Sequence, residues 1–243
     1  MTPLDQRAAA CRCEWGISGH DKLAPADVTI IVDVLSFSTC VDVAAARSVA
    51  VIPYPWKDAS AQEFARKHRA ELAGRRGESR YSLSPCSFLN APAGLRCVLP
   101  SPNGAILAIR AATTSAAVLA GCLRNAAAVA RGAQRLGNTF NVCPAGERWP
   151  DGSLRPAVED WLGAGAILRH LPGEKSAEAL AAIAAFEHAV QPLPEIIARS
   201  GSGRELIERG FSRDVELAAA VDISGHVPRY DGTAFVDHQL SAA

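Results

Sequence analysis

The stretch V-T-I-I-V-D-V-L-S-F-S-T-C-V-D-V at residues 28–43 decides the fold. Its apolar beginning predicts a buried strand over residues 28–35. Hydroxyl side chains follow that can cap a helix, and residues 40–47 have helical spacing. Residues 48–54 are again β-branched and apolar, so the order is that of a parallel βαβ unit. Asp33 is unusual because it places a carboxylate inside the first strand.

Strand and helix patterns continue to alternate up to residue 143. This alternation implies an α/β fold, a three-layer α/β/α arrangement around a mostly parallel or mixed sheet. Asn125 is placed to cap one of the helices. The further predicted strands cover residues 96–100, 116–120 and 139–143, and the predicted helices between them cover 105–112 and 126–136.

The C-terminal part is mainly helical by its composition, and it ends in a hairpin around Asp231-Gly232. No linker is long or polar enough to mark a boundary. We therefore expect a single domain over residues 1–243, or two closely packed lobes at about 1–136 and 137–243. Helices are predicted at residues 157–171, 176–190, 204–209 and 213–221, with a flexible S-G-S-G turn at 200–203.

The overall composition excludes several classes of protein. Of 243 residues, 49% are apolar and 21% are charged, and the formal net charge is zero. A neutral chain argues against nucleic acid or an anionic membrane as the main partner. No run approaches the roughly 20 apolar residues that span a bilayer. The N-terminus has no basic region followed by an apolar one, so we expect no secretion signal.

Seven cysteines, an odd number with no C-x-x-C, indicate a reduced, cytoplasmic setting. The six histidines show no metal-ligand spacing, which argues against a zinc site. The oligomeric state cannot be read from the chain, and a homodimer is expected from frequency alone.

Polar residues cluster directly after the predicted strands or at the start of the helix that follows. Ligands of parallel α/β sheets bind at the carboxyl ends of the strands, so these residues are expected at one edge of the sheet. No Walker loop, G-x-S-x-G or G-x-G-x-x-G motif follows a strand. The candidate residues are Asp33, Ser36, Ser38, Thr39, Ser101, Asn103, Gly104, Asn125, Glu147, Glu159 and Asp160.

This set suits an anionic substrate held through a divalent cation. Mg²⁺ prefers oxygen ligands, and the four candidate carboxylates are Asp33, Glu147, Glu159 and Asp160. Helix N-termini can bind phosphate. The adjacent Arg75 and Arg76, between glycines, can present a guanidinium fork to an oxyanion.

Each candidate also has a purely structural interpretation. Asp33, Ser38 and Thr39 could cap the following helix, and Asn103-Gly104 could be only a tight turn. Glu159-Asp160 suits a helix N-terminus without any metal.

The order of motifs from residue 28 to residue 228 resembles the 2-phosphosulfolactate phosphatase family. No single motif is diagnostic, but the ordered set is specific. The motifs are V-D-V-L-S-F-S-T, L-A-G-R-R-G-E, L-S-P, S-P-N-G-A, L-A-G-C-L-R-N-A-A-A-V-A, V-E-D-W-L-G-A-G-A-I and G-R-E-L-I-E-R-G-F-S-R-D-V-E-L-A-A-A-V-D.

The resemblance implies an α/β, Mg²⁺-dependent phosphatase that converts 2-phosphosulfolactate to sulfolactate and phosphate, a step in coenzyme M biosynthesis. By position in the motifs, it assigns the site to Asp33, Ser38, Thr39, Arg76, Asn103, Gly104, Asn125, Glu159 and Asp160.

The chain also departs from the family pattern, and the departures move positive charge. Ser36 stands at the arginine that the family has after D-V-L, while Arg75 stands at a family glutamate. Such a change predicts an altered substrate or a non-catalytic relative. The other departures are Glu78 for glycine, Leu83 for asparagine, Pro102 for threonine and Ser202 for histidine.

Three functions remain open from the sequence. The first is a metal-dependent phosphoric monoester hydrolase in which either a carboxylate acts as general base or Asp33 attacks phosphorus. Leu35 removes the D-x-D of aspartyl-phosphate enzymes, which favours direct attack by water. The alternatives are a non-catalytic binder of a small anionic metabolite and a hydrolase or lyase of a different phosphorylated acid.

Overall fold

The strands of the protein follow the apolar runs of the sequence. The structure is a computed structural model that describes residues 3–55 and 58–238. The strands are Cys11–Cys13 (β1), Val28–Val32 (β2), Ala50–Tyr54 (β3), Glu71–Leu72 (β4), Arg96–Pro100 (β5), Ala117–Gly121 (β6), Phe140–Pro144 (β7), Glu147–Arg148 (β8), Leu154–Arg155 (β9), Pro228–Tyr230 (β10) and Phe235–Asp237 (β11).

Helices occupy most of the connections and the C-terminal part. None of those that the structure describes is long and apolar enough to cross a bilayer. The helices are Gly16–His20 (α1), Phe37–Ala45 (α2), Ser60–Lys67 (α3), Gly104–Ala111 (α4), Ala126–Gln134 (α5), Val158–Leu168 (α6), Ala177–Ala189 (α7), Leu193–Arg199 (α8), Gly201–Glu208 (α9) and Ser212–Ala218 (α10).

Nine of the described strands form one mixed sheet, in the order β1-β7-β2-β6-β10-β11-β3-β5-β4. Two parallel blocks, β1-β7-β2-β6 and β3-β5-β4, lie on either side of the hairpin β10–β11. The hairpin is antiparallel to β6 on one side and to β3 on the other. Helices cover both faces, which confirms the predicted three-layer α/β/α fold with a mostly parallel, mixed sheet.

The predicted parallel βαβ unit at residues 28–54 is wrong. β2 and β3 share the sheet, but β6, β10 and β11 lie between them. Three consecutive antiparallel pairings separate the two blocks, so β3 runs opposite to β2. Local patterns could not predict this, because the hairpin that separates the blocks comes from the far end of the chain.

The loops that follow β2 and β5 meet although the two blocks run in opposite directions. The Gly104 amide, after β5, lies 3.0 Å from Asp33 Oδ2, after β2.

Alternate residues of β2 enter different halves of the core. Ile30 belongs to the cluster formed with α5, α6 and α7, whereas Ile31 belongs to the cluster formed with α2 and α4. Because side chains alternate along a strand, Asp33 lies on the same face as Ile31. The acid is thereby directed towards the N-termini of α2 and α4.

The C-terminal predictions are confirmed except for one segment. The hairpin forms around Asp231-Gly232, and Asp231 Oδ1 accepts hydrogen bonds from two amides of the turn. The flexible turn predicted at 200–203 is wrong, because α9 already begins at Gly201. Ser200 Oγ caps that helix by accepting from the Gly203 amide at 3.0 Å. The short elements β1, β4, β8, β9, α1, α3 and α8 were not predicted.

The seven cysteines are free thiols, and six of them are buried. This agrees with their odd number and with the absence of C-x-x-C. Most of them pack in the core as small apolar side chains.

Helix α6 packs closely on its neighbours because it carries glycines. A Cβ on Gly163 would lie within 3 Å of the side chains of Val32 and Val34. A Cβ on Gly165 would lie 2.0 Å from the carbonyl oxygen of Ala182 in α7. Backbone atoms cannot rotate away as a side chain can, so Gly165 sets the distance between α6 and α7.

We expect Gly165→Ala to lower the free energy of unfolding by about 2–3 kcal/mol, as overpacking does in other cores. Urea denaturation measures this change. Gly225→Ala is the matched control, because a Cβ there meets nothing within 4 Å. Equal stability of the two variants would contradict the close α6–α7 contact.

Candidate active site

Asp33 lies directly after β2 and is 6% exposed. Its Oδ1 accepts from the Phe37 amide and its Oδ2 from the Gly104 amide, both at 3.0 Å. These amides open α2 and α4, so a single carboxylate faces two helix N-termini, whose partial positive charge stabilises it. A Cβ on Gly104 would lie 2.6 Å from Asp33 Oδ2, which is why this position requires glycine.

Asn103, next to Gly104, connects the surroundings of Asp33 to Glu147 in β8. Its Nδ2 donates to Glu147 Oε2 at 2.8 Å. Burial raises the pKa of Glu147 to about 7, and the negative charge of Asp33 adds to the effect, against the hydrogen bond from Asn103. Glu147 therefore exchanges a proton near neutral pH.

Asp160 is buried and joins two loops to α6. Its Oδ1 accepts from the Val34 amide at 2.7 Å and its Oδ2 from the Gly146 amide at 2.9 Å. Burial raises its pKa well above the usual range, and the charges of Asp33 and Glu159 raise it further. Asp160 thus fixes the positions of the loops that carry Asp33 and Glu147.

Glu159 is the acid whose side chain still has a free hydrogen-bond acceptor. It is 2% exposed, and its Oε2 is buried without a hydrogen-bond partner. A buried carboxylate oxygen without a partner is energetically unfavourable unless a proton or a cation completes it. Its charge also contributes to the raised pKa values of Glu147 and Asp160, so it lies close to both.

The four predicted acids are therefore brought together, but the metal site itself stays a prediction. Within residues 3–55 and 58–238, no three Asp, Glu, His or Cys side chains form a group that could hold a metal. Mg²⁺ commonly uses only one or two carboxylates and keeps several waters. The partnerless Glu159 Oε2 beside other acids fits such a sparse set.

A cavity of about 820 Å³ opens beside these acids. Its walls come from the loop after β2, from β4 and the loop that follows, from the end of β5, from β8 and from α9. Glu147 belongs both to the acid group and to the cavity wall. The departures from the family pattern that line the cavity are Ser36, Arg75, Glu78, Leu83 and Ser202.

The two adjacent arginines line this cavity, but they differ in their environment. Arg75 is exposed and makes no ion pair with any described residue. Arg76 is largely buried, its Nη2 donates to Ser36 Oγ at 3.0 Å, and it also bonds the Leu83 carbonyl. They do not form one fork, since Arg76 is held in place by these contacts, whereas Arg75 is exposed.

Ser38 and Thr39 are fully buried in the first turn of α2, next to the loop that carries Asp33. Ser38 Oγ accepts from the Asp33 amide and donates to the Ile31 carbonyl. Thr39 Oγ1 donates to the Val34 carbonyl at 2.7 Å. Their hydroxyls hold the backbone around Asp33, and their predicted role in substrate binding stays a prediction.

Ser101 and Asn125 also bond the backbone, and neither lines the cavity. Ser101 Oγ accepts from the Asn103 amide at 3.4 Å. Asn125 precedes α5 without a side-chain cap, because its Oδ1 accepts from the Cys122 amide and its Nδ2 reaches two carbonyls. Asn125 thus secures the backbone at the end of β6.

Two contributors to the site were missed from the sequence. Arg155 lies opposite Glu147 in the β8–β9 pair, its charge lowers the pKa of that acid, and its Nη2 donates to Ser202 Oγ at 2.9 Å. Asp214 forms a buried ion pair with Arg76. The alternation of the short hairpin around Gly152 could have indicated Arg155, whereas nothing local links Asp214 to Arg76.

The raised pKa of Glu147 predicts a pH-dependent stability. Between its ordinary value of 4.5 and about 7, the unfolded chain loses this proton while the folded protein keeps it, so stability falls as pH rises through that window. Glu147→Gln keeps the acceptor for Asn103 and removes the titration. Each pKa unit is worth about 1.4 kcal/mol, so we expect the wild type to lose on the order of 2 kcal/mol relative to this variant between pH 5 and 8.

Urea denaturation in EDTA at the two pH values makes this measurement. Glu187→Gln, on the exposed side of α7, is the control and should follow the wild type. Parallel pH curves for the wild type and Glu147→Gln would show that Glu147 ionises normally.

Comparisons with known proteins identify the family of the chain. The family model of 2-phosphosulpholactate phosphatase matches residues 18–233. The chain is 31% identical over 207 residues to the 2-phosphosulfolactate phosphatase of Methanothermobacter thermautotrophicus, covering 83% of this chain and 85% of the relative. It is also 31% identical over 217 residues to a probable 2-phosphosulfolactate phosphatase of Carboxydothermus hydrogenoformans, covering 85% and 87%. The chain therefore belongs to the 2-phosphosulfolactate phosphatase family, as the order of its motifs indicated.

Proposed function

We propose that this protein is an Mg²⁺-dependent phosphatase of a small phosphorylated acid, with 2-phosphosulfolactate as the first candidate substrate. The position of Glu147 carries the proposal. This residue lies on the wall of the cavity and is coupled by charge to Asp33 and Glu159. A phosphoryl group in the cavity would thus meet Glu147 directly.

Glu159 and Asp33 are the residues that would hold the cation, with Asp160 fixing the loops around them. The buried oxygen of Glu159 has no hydrogen-bond partner, and a cation would supply one. Bound there, Mg²⁺ would neutralise charge on the transferring phosphoryl group. Without a cation, the negative charges of the four acids would repel one another.

Glu147 is the residue that we assign to proton transfer. A catalytic acid or base works best when its pKa lies near the working pH, and the pKa of Glu147 is raised to about 7. It would take the proton of an attacking water. Asp33 is a weaker nucleophile than an ordinary carboxylate, because two helix amides stabilise its charged form. Direct attack by water is therefore favoured over an aspartyl phosphate.

Arg75 is the exposed arginine that we assign to one of the acidic groups that the substrate carries besides phosphate. Arg209 lies on the same wall but is paired with Glu205 at 3.0 Å, and Arg76 is paired with Asp214. Five departures from the family pattern line the cavity, which supports a shift in the acid that is preferred. The same chemistry extends to other phosphorylated carboxylic or sulfonic acids.

Phosphate release tests the proposal. With 2-phosphosulfolactate and phosphoglycolate, we expect turnover that EDTA abolishes and that falls at least a hundredfold in Asp33→Asn and Glu159→Gln. Glu187→Gln should keep full activity, and calorimetry should show weaker Mg²⁺ binding by Glu159→Gln. Metabolite binding without turnover of any phosphorylated acid would instead identify a non-catalytic binder.

Substituting Arg75 tests the assignment of the acidic group. A charge-assisted hydrogen bond is worth about 1.5–3 kcal/mol, so Arg75→Gln should raise KM about ten- to hundredfold with little change in kcat. Arg209→Gln is the matched control on the same wall and should change KM less than threefold. An unchanged KM in Arg75→Gln would remove Arg75 from the binding site.

A further inference from the structure

The guanidinium of Arg76 makes no hydrogen bond on the side that faces Asp214. Its Nη1 and Asp214 Oδ2 lie 3.5 Å apart, and both atoms are buried without a hydrogen-bond partner. The two side chains are only 10% and 2% exposed. This ion pair is therefore held beyond the 2.7–2.9 Å that a charge-assisted hydrogen bond prefers.

Asp214 is fixed from outside the cavity. Its Oδ1 accepts from Ser84 Oγ at 2.7 Å and from the Cys86 amide at 3.1 Å. Burial and the neighbouring Asp214 raise the pKa of the Cys86 thiol to about 12, so no thiolate competes for Arg76. One oxygen of Asp214 is thus anchored, and the other is left for the arginine.

The arginine is held from the opposite side as well. Nη2 bonds Ser36 and the Leu83 carbonyl, and the guanidinium lies 5.3 Å from the centre of the Phe211 ring. Since Arg76 and Ser36 both line the cavity, these contacts place the Nη2 side of the guanidinium at the cavity wall.

A second buried pair shows what an ordinary structural pair looks like in this fold. Arg124 Nε lies 2.8 Å from Asp42 Oδ2, and Ser224 donates to the other oxygen. The side chains are similarly buried, at 12% and 0% exposed. Neither of these residues lines the cavity. Here the pair closes to a hydrogen bond, so the gap at Arg76 is specific to the arginine in the cavity.

We propose that Asp214 is a positioning residue that holds Arg76 at the cavity wall, so that its guanidinium binds an anionic group of the substrate together with Ser36. The inference rests on the proposed phosphatase function. Nη1 faces Asp214 and Nη2 faces the cavity, so an incoming anion would meet the guanidinium at Nη2, beside Ser36. Asp214 does not touch the substrate. It balances the charge of Arg76 and fixes its orientation before the anion arrives.

Discrimination between substrates tests this role. Asp214→Asn keeps an acceptor for Ser84 and Cys86 but removes the charge. We expect the ratio of kcat/KM for 2-phosphosulfolactate to that for 4-nitrophenyl phosphate, which has no second acidic group, to fall at least tenfold. Asp42→Asn breaks the matched pair outside the cavity and should leave the ratio within twofold, even though it destabilises the fold.

A double variant separates positioning from general damage. In an Arg76→Gln background, Asp214→Asn should change the ratio less than twofold, because the residue that it positions is gone. A full effect of Asp214→Asn in that background, or an unchanged ratio in the single variant, would overturn the proposal. If Asp214→Asn does not fold, Ser84→Ala removes one anchor and should lower the ratio about threefold.

Binding of sulfolactate, which carries no phosphoryl group, distinguishes failure of this inference from failure of the phosphatase function. Calorimetry should show at least tenfold weaker binding in Asp214→Asn and Arg76→Gln, and unchanged binding in Asp42→Asn. A wild type that binds sulfolactate in this pattern but releases no phosphate would support the positioning role and refute the phosphatase. A wild type that does not bind sulfolactate would refute the positioning role.

Discussion

The rest of the site depends on one carboxylate that caps two helices. Asp33 accepts the first amide of α2 with one oxygen and the first amide of α4 with the other. Because α2 follows β2 and α4 follows β5, this acid links the two oppositely directed blocks of the sheet. The buried charge is tolerated because two helix N-termini stabilise it. The hydrogen bond between Asp33 and the Gly104 amide also fixes the position of the neighbouring Asn103. Asn103 in turn holds Glu147 through its own hydrogen bond.

The grouping of four acids around Asp33 lowers the stability of the folded protein. Burial and mutual repulsion raise the pKa values of Glu147 and Asp160, and Glu159 keeps a buried oxygen without a partner. Asp160 is satisfied by two backbone amides, so its burial strengthens the loops. Glu147 and Glu159 receive fewer stabilising hydrogen bonds than Asp160. Buried acids that reduce stability in this way are commonly residues that a function requires.

Positive charge around the cavity is distributed unevenly. Arg76 and Arg209 each have an acidic partner, whereas Arg75 has none among the described residues. Ser36 and Arg75 both line the cavity, and Ser36 accepts a hydrogen bond from Arg76. The hydroxyl of Ser36 therefore helps to hold the guanidinium of Arg76 in place.

The sequence by itself determined the α/β class, most long elements and the candidate acids. Hydrophobic periodicity is a local property, so residues 28–43 were enough to place β2 and α2 within a few positions. Only the tertiary structure decided that the C-terminal hairpin separates the two blocks and that Asp214 pairs with Arg76. It also decided that Ser38, Thr39 and Asn125 bond the backbone. The physical reason is that strand order, burial and hydrogen-bond partners depend on residues far apart in the chain, and these meet only when the sheet twists and its faces are covered.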